Sequence, residues 1–288
     1  MSSNASGWGL YRLRQSLIRA AADVGQLPGM HSIAEPFYRR YFKRPCRRGN
    51  LYYGIFESYD EALAQAEQLS SASLPASYDV EGAALKYRAQ LETLRTCDYP
   101  ALYWLREIIE AGGRKVFDLG GHLGLAYYGY SKYLSYPHDL RWRVHDLPQV
   151  MAAGRSLASE RGCSGSLQFV ESPSDADDAD VLISAGALQY LNYRLPALIQ
   201  RLRKPPRHVI FNLTPLHDSK SFFTLQNLGI AICPYRIDHA STLFDEMRNL
   251  GYKVRDHWTL ADRRIRIPFA EAYSVDHYHG CYLELAPP

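Results

Sequence analysis

From residue 114 onward, short runs of β-branched and aromatic residues alternate with amphipathic helical stretches, and this alternation constrains the fold more than any other feature. "KVFDL", "RWRVHD", "LQFVE", "DVLISAG" and "HVIFNL" read as five buried strands. The helix after "RWRVHD" has Pro148 near its first turn and Gly162 just past its end, and "PALIQRLRK" is the next. "TLFDEMRNLGY" is a third, with Leu243, Phe244, Met247 and Leu250 on one face and Gly251 as its stop. Such alternation predicts a parallel sheet wrapped on both faces. "KVRDHWTL" and "GCYLEL" follow with no helix between them, so an antiparallel addition is expected at one edge. The expected fold is a doubly wound, mostly parallel α/β sheet with an antiparallel terminal strand, over residues 100–288.

Residues 1–99 read as a mostly helical extension. "SYDEALAQAEQL" opens with Ser58 and Glu61 in capping-box spacing, and "VEGAALKYRAQLETL" puts Val80, Ala84, Tyr87, Leu91 and Leu94 on one stripe. "YPALYWLREIIEAGG" has Pro100 at a helix start and Gly112–Gly113 at its end. The extension is expected to close an acceptor site or to mediate dimerisation.

A net charge of +3 is too small to argue for nucleic acid. No stretch approaches the ~20 apolar residues of a membrane span. Arg14, Arg19 and Asp23 stand where a signal peptide needs an apolar core, and five scattered cysteines without a C-x-x-C pair suit a reducing compartment. A cytoplasmic protein is expected. The run "RRYFKRPCRR" between Arg39 and Arg48 suits a solvated helix end, an acidic substrate or peripheral contact with an anionic membrane. The 22 tyrosines suit packing, or a pocket for an aromatic or sugar-like ligand.

"VFDLGGHLGLAYYGY", residues 116–130, joins the first strand of the alternating region to a helix through a glycine turn. In a Rossmann-like site the ligand lies beyond the carboxyl ends of the strands and glycines let it approach the backbone. An acid after the second strand takes the ribose hydroxyls, and Asp146 lies 26 residues beyond Gly120. The nicotinamide fingerprint G-x-G-x-x-G is absent, and Asp118 just before the glycines would repel a pyrophosphate. The same acid suits an ammonium group beside a sulfonium. S-adenosylmethionine has both and no phosphate, so it is preferred over NAD.

"VFDLGGHLG", "VHDLPQV" and "ADVLISAGALQYL" resemble motifs I, II and IV of class I S-adenosylmethionine-dependent methyltransferases, in order and spacing. More narrowly, "YYGIFESYDEALAQA", "SAGALQYL", "NLTPLHDSKSFFTLQNLGIAICPYRI" and "LFDEMRNLGYKV" resemble bacterial methyltransferases associated with cell-surface polysaccharide (O-antigen) gene clusters. The resemblance implies that Asp118, Gly120, Gly121 and Gly124 hold the methionine part. Asp146 takes the ribose hydroxyls, Leu147 packs on adenine, and Ser184, Ala185 and Gly186 border the methyl group. His122 stands where the motif has glycine, which implies an altered turn in the cofactor site. The implied activity is O- or N-methyl transfer to a small metabolite or sugar-containing acceptor, in natural-product or polysaccharide biosynthesis. The alternatives are an NAD(P)-dependent reductase and a protein that binds S-adenosylmethionine without turnover.

Methyl transfer needs alignment and exclusion of water, and a base only when the acceptor must lose a proton. "DLP" also resembles the O-methyltransferases of plant phenolics, whose histidine base would fall at Gln189 here, and glutamine takes no proton. His217 with Asp218 is the preferred base pair, His239 a further candidate, and Tyr190 and Tyr235 are candidate acceptor-pocket residues. "DHYHG" at 276–280 has His-x-His spacing, but no third ligand has suitable spacing, and no metal is expected. "DADDAD" at 175–180 is expected to turn into the fourth strand, with Glu171 or Ser172 near adenine.

Overall fold

The computed structural model describes residues 31–45 and 50–287. The chain begins with α1 (His31–Phe42), β1 (Leu51–Phe56), α2 (Tyr59–Leu69) and α3 (Glu81–Arg88). The alternating region is α4 (Tyr99–Glu110), β2 (Lys115–Leu119), α5 (Leu125–Tyr130), β3 (Arg141–His145), α6 (Pro148–Glu160), β4 (Leu167–Phe169), β5 (Val181–Ala185), α7 (Leu195–Arg201) and β6 (His208–His217). It continues through β7 (Phe222–Asn227), β8 (Ile232–His239), α8 (Ala240–Asn249), β9 (Tyr252–Leu260) and β10 (Tyr278–Leu285).

One sheet carries all ten strands, in the order β1-β7-β8-β6-β5-β2-β3-β4, with β10 on β6 and β9 on β10. The five strands β4-β3-β2-β5-β6 are parallel, and β10 runs antiparallel to both β6 and β9. Side chains alternate across this sheet. Val116, Ile183 and Ile210 pack with Leu105, Ile109, Met151 and Leu157 on one face. Phe117, Leu182 and Phe211 pack with Leu198, Leu243 and Met247 on the other. The Rossmann-like doubly wound sheet with its antiparallel terminal strand is therefore as the sequence predicts.

Three departures matter for the site. Leu51–Phe56 is a strand inside the mostly helical extension, and it pairs with β7. The stripe through Leu94 is not one helix: α3 ends at Arg88, and Gln90 and Thr93 close successive turns onto Tyr87 and Gln90 carbonyls. The segment between β6 and α8, to which the sequence pattern assigns no element, is the antiparallel pair β7–β8. Its periodicity is hidden because Thr224, Gln226 and Asn227 are buried polar residues held by hydrogen bonds, as Thr224 Oγ1 is to the Gly54 carbonyl at 2.7 Å. α1 and α2 cover this unit through Tyr38, Phe42, Ala62, Ala66 and Leu69, packed on Leu225 and Ile232.

Candidate active site

A cavity of about 1410 Å³ opens at the carboxyl ends of the parallel strands. That exceeds the roughly 300–1,000 Å³ usual for one small ligand. Its wall includes the glycine turn after β2, Asp146 after β3, Ala185 and Gly186 at the end of β5, and Leu213 of β6. The side facing them comes from residues of the extension, of β7 and β8, and of the loop between β9 and β10.

The turn is left-handed at three places: Gly120 (φ 73°), His122 (φ 56°) and Gly124 (φ 86°). Glycine is required at 120, because a Cβ there would lie 2.0 Å from Cβ of Ala187. At 121 a Cβ would fall 2.4 Å from Cγ of Asp118, so this glycine makes room for the carboxyl. The altered turn expected at His122 keeps a left-handed backbone with a histidine, a residue type enriched in that region. Its ring is buried and meets the Tyr87 ring edge-on at 5.1 Å.

Asp118 is 1% exposed, and Trp142 Nε1 donates to its Oδ2 at 3.1 Å. Burial pushes this carboxyl up to about 7, against the Trp142 hydrogen bond, and the nearby Asp146 charge raises it further. No lysine or arginine pairs with it among the described residues. Asp146 accepts from the His122 N–H at 2.8 Å and the Leu147 N–H at 2.7 Å, one on each oxygen. Each oxygen keeps a second lone pair. Burial raises this carboxyl too, opposed by those two N–H groups and by His122 and His145. Leu147, Pro148 and Met151 line the adjoining wall, with Glu171. Glu171 pairs with Arg155, and Ser172 caps the turn at Ser174. The acidic 175–180 segment is engaged structurally: Asp177 and Asp178 meet Arg203, Lys204 and Lys115, and Asp180 accepts from the Arg114 and Lys115 N–H groups.

Ala185 and Gly186 are on the cavity wall, whereas Ser184 is fully buried and donates to the Leu119 carbonyl at 2.8 Å, tying β5 to β2. Gln189 is on the wall; its Nε2 donates to the Gly186 carbonyl at 2.9 Å and its Oε1 is buried without a partner. Tyr190 and Tyr235 are on the wall as well. Tyr190 donates to Gln226 Oε1 at 2.6 Å, Gln226 Nε2 donates to the Tyr52 hydroxyl at 2.9 Å, and Tyr278 joins the Tyr52 hydroxyl at 3.2 Å to that of Tyr235 at 2.9 Å. Burial raises all four phenols, and Tyr190, Tyr235 and Tyr278 stand well above the ordinary tyrosine range.

His217, Asp218 and His239 are not on the cavity wall. Leu213, with φ 54°, marks the point where β6 leaves β5; the strand runs on to pair with β8 and carries His217 to the surface. There its Nδ1 accepts from the Ser219 N–H at 3.1 Å and its Nε2 faces the Ala272 carbonyl at 3.2 Å. His257 and His279 are joined at 2.9 Å with His277 alongside, and no group of three potential metal ligands is present among the described residues. Residues 46–49 of the basic run lie outside the described residues. No helix among the described residues is long and apolar enough to cross a membrane.

Tyr52, Gln226, Tyr278, Arg95 and Arg263 also line the cavity, and sequence reasoning did not find them. The only signal for the phenols is the tyrosine count.

No protein family's sequence profile and no curated protein matches the chain. Among solved structures it is similar to the cyclase SpnF, with a TM-score of 0.48 and 14% identity over 75% of this chain and 100% of that one. It is also similar to the 1,6-didemethyltoxoflavin-N1-methyltransferase of Burkholderia thailandensis, which was crystallised with 1,6-didemethyltoxoflavin and S-adenosylhomocysteine. The TM-score there is 0.43, with 18% identity over 73% of this chain and 88% of that one. The N-terminal domain of EvdMO1, crystallised in the presence of S-adenosylhomocysteine and D-fucose, gives a TM-score of 0.47 and 9% identity over 75% and 100%.

Proposed function

We propose that this chain is an S-adenosylmethionine-dependent methyltransferase acting on a hydroxyl or amine of a small metabolite, sugar-containing molecules included. The observation that carries the reading is that Asp118 and Asp146 flank one glycine turn on one cavity wall. Asp118 is a buried carboxyl with no cationic side chain on it among the described residues, so a ligand ammonium group meets an unmet need. A pyrophosphate would meet repulsion at the same place, which speaks against a nicotinamide cofactor.

In this reading Asp118 and the backbone of Gly120 and Gly121 hold the methionine part, and the free lone pairs of Asp146 accept from the ribose hydroxyls. Leu147 packs on adenine, and Ala185 and Gly186 border the methyl group. The cofactor supplies an electrophilic methyl on a sulfonium. The protein's residues align the acceptor with it and exclude water. Residues before 99, including Tyr52, Tyr78 and Tyr87, line the same cavity, which supports a covering role for the extension.

Gln189 favours a second reading, a protein that binds S-adenosylmethionine without turnover, because its amide is tied to Gly186 and takes no proton. Calorimetric titration with S-adenosylhomocysteine, and with NADH and NADPH alongside, tests the main reading. Micromolar binding of the homocysteine product with no nicotinamide binding is the expected result. Nicotinamide binding alone would overturn the proposal, and methyl transfer to any acceptor would exclude the binding-only reading.

A further inference from the structure

The wall facing the glycine turn has an unusual chemistry. Its polar groups from β1, β7, β8 and β10 are phenols, a thiol and amides: Tyr52, Gln226, Cys233, Tyr235 and Tyr278 line the cavity, and no His, Asp, Glu or Lys of those four strands does. The Tyr235 ring stands edge-on to Tyr190 at 5.1 Å and to Tyr52 at 5.5 Å, so the surface is built of ring edges and faces. Such a surface suits a flat, π-rich ligand.

The hydrogen-bond chain sets which groups can donate. Gln226 fixes the direction at one end, since its Oε1 only accepts and its Nε2 only donates. Tyr52, Tyr278 and Tyr235 then have three hydroxyl protons between them and two mutual links to fill. One phenolic proton is left over for Asn50 or for a bound oxygen or nitrogen. The wall is a neutral donor. It is not a base, because burial keeps these phenols protonated through the neutral range.

An alcohol holds its proton about as tightly as water does, with a pKa of roughly 15.7. It would reach nucleophilic form here only with a base, and neither the phenols nor Gln189 is one. Of the carboxylates that also line the cavity near them, Asp98 is held by Arg95 at 2.9 Å, Asp262 faces Arg263 at 3.7 Å, and Glu271 is on the loop that carries the arginines. Positive charge outnumbers negative on that loop, where Arg263, Arg264 and Arg266 line the cavity beside Asp262 and Glu271. Arg263 and Arg264 line the cavity from the exposed loop after β9. Among the described residues Arg263 has a single ion pair, with Asp262 at 3.7 Å, and Arg264 has none.

We propose that the acceptor is a flat, conjugated molecule whose own O–H or ring N–H ionises near neutral pH, seated against Tyr52, Tyr190, Tyr235 and Tyr278 with its negative charge toward Arg263 and Arg264. This rests on the methyltransferase reading and narrows it away from saturated sugar hydroxyls. The acceptor gives its proton to water before transfer. The resulting oxygen or nitrogen anion forms the new bond to the methyl carbon as the carbon–sulfur bond breaks, and that electron pair stays on sulfur, leaving neutral thioether product.

The test uses the full chain saturated with S-adenosylhomocysteine, titrated by calorimetry at pH 8 with 4-nitrophenol, phenol and methyl glucoside. 4-Nitrophenol, which is ionised at that pH, is expected to bind at least tenfold tighter than phenol, and methyl glucoside to give no heat. The R263Q/R264Q double variant is expected to shrink the preference for 4-nitrophenol at least fivefold, while S-adenosylhomocysteine affinity stays unchanged. Equal or better binding of the glucoside, absence of 4-nitrophenol binding at 10 mM (about −2.7 kcal/mol at the weakest), or an unchanged preference in the arginine variant overturns the proposal. Absence of S-adenosylhomocysteine binding in the first titration overturns the parent reading, and this one with it.

Discussion

The His122 backbone N–H donates to Asp146 Oδ2 at 2.8 Å, so the turn after β2 is tied to the end of β3. The other Asp146 oxygen holds the Leu147 N–H, and one carboxylate thereby shapes both loops that frame the proposed cofactor half of the cavity.

Asp146→Ala is expected to weaken S-adenosylhomocysteine binding at least tenfold, on the order of 1.4 kcal/mol or more. Asp146→Asn should be about as damaging, because its NH₂ would face one of two backbone N–H donors. Calorimetry measures both. Wild-type affinity in either variant would remove the ribose assignment.

The Asp118 carboxyl, held up to about 7 by burial, has to ionise to meet a ligand ammonium group. Below that value the free protein carries the proton and binding must release it. Affinity for S-adenosylhomocysteine is therefore expected to rise with pH up to about 7 and then flatten, falling on the order of tenfold per pH unit on the acid side. Titrations from pH 5 to 8.5 in buffers of different ionisation heat count the released proton. A pH-independent affinity would mean that Asp118 does not pair with the ammonium group.

Gly120→Ala places a Cβ 2.0 Å from that of Ala187 at a φ of 73°. The left-handed backbone costs about 1–2 kcal/mol and the overlap about 1–3 kcal/mol. The variant is expected to unfold at lower denaturant concentration and to lose S-adenosylhomocysteine binding, since the 185–190 turn must move. Unchanged stability and affinity would show that the turn yields freely.

His217→Ala is expected to keep turnover and cofactor affinity within about twofold, because the imidazole is at the surface beyond the bend at Leu213. A tenfold loss of turnover with normal S-adenosylhomocysteine binding would return His217 to the role of base.

Gln226→Ala leaves the half-buried Tyr190 hydroxyl without its Gln226 acceptor and Tyr52 without the Gln226 donor. A stability loss of about 1–3 kcal/mol is expected from chemical denaturation. A loss under half of that would mean that water takes over both bonds.

The parallel sheet, its glycine turn and the two acids were legible in the sequence because each depends on local pattern. Apolar runs of strand length, helix stops at Gly162 and Gly251, and an acid just before a glycine pair are all set by neighbours in the chain. Even there, local pattern misassigned Ser184: it stands beside Ala185 and Gly186 in sequence, yet strand alternation turns it toward the Leu119 carbonyl and away from the cavity.

Only the tertiary structure decided the tyrosine-lined half of the cavity, the proposed acceptor side. Tyr52 and Tyr278 are 226 positions apart, and Gln226 lies between them in sequence but on a strand whose buried polar residues erase the hydrophobic alternation. Side chains contributed by β1, β7, β8 and β10 meet because β1 pairs with β7, β7 with β8, and both β8 and β10 with β6, not because any spacing joins them. The same pairing moved His217 out: β6 bends at Leu213 to join β8, and a long-range backbone ladder determines where that side chain ends.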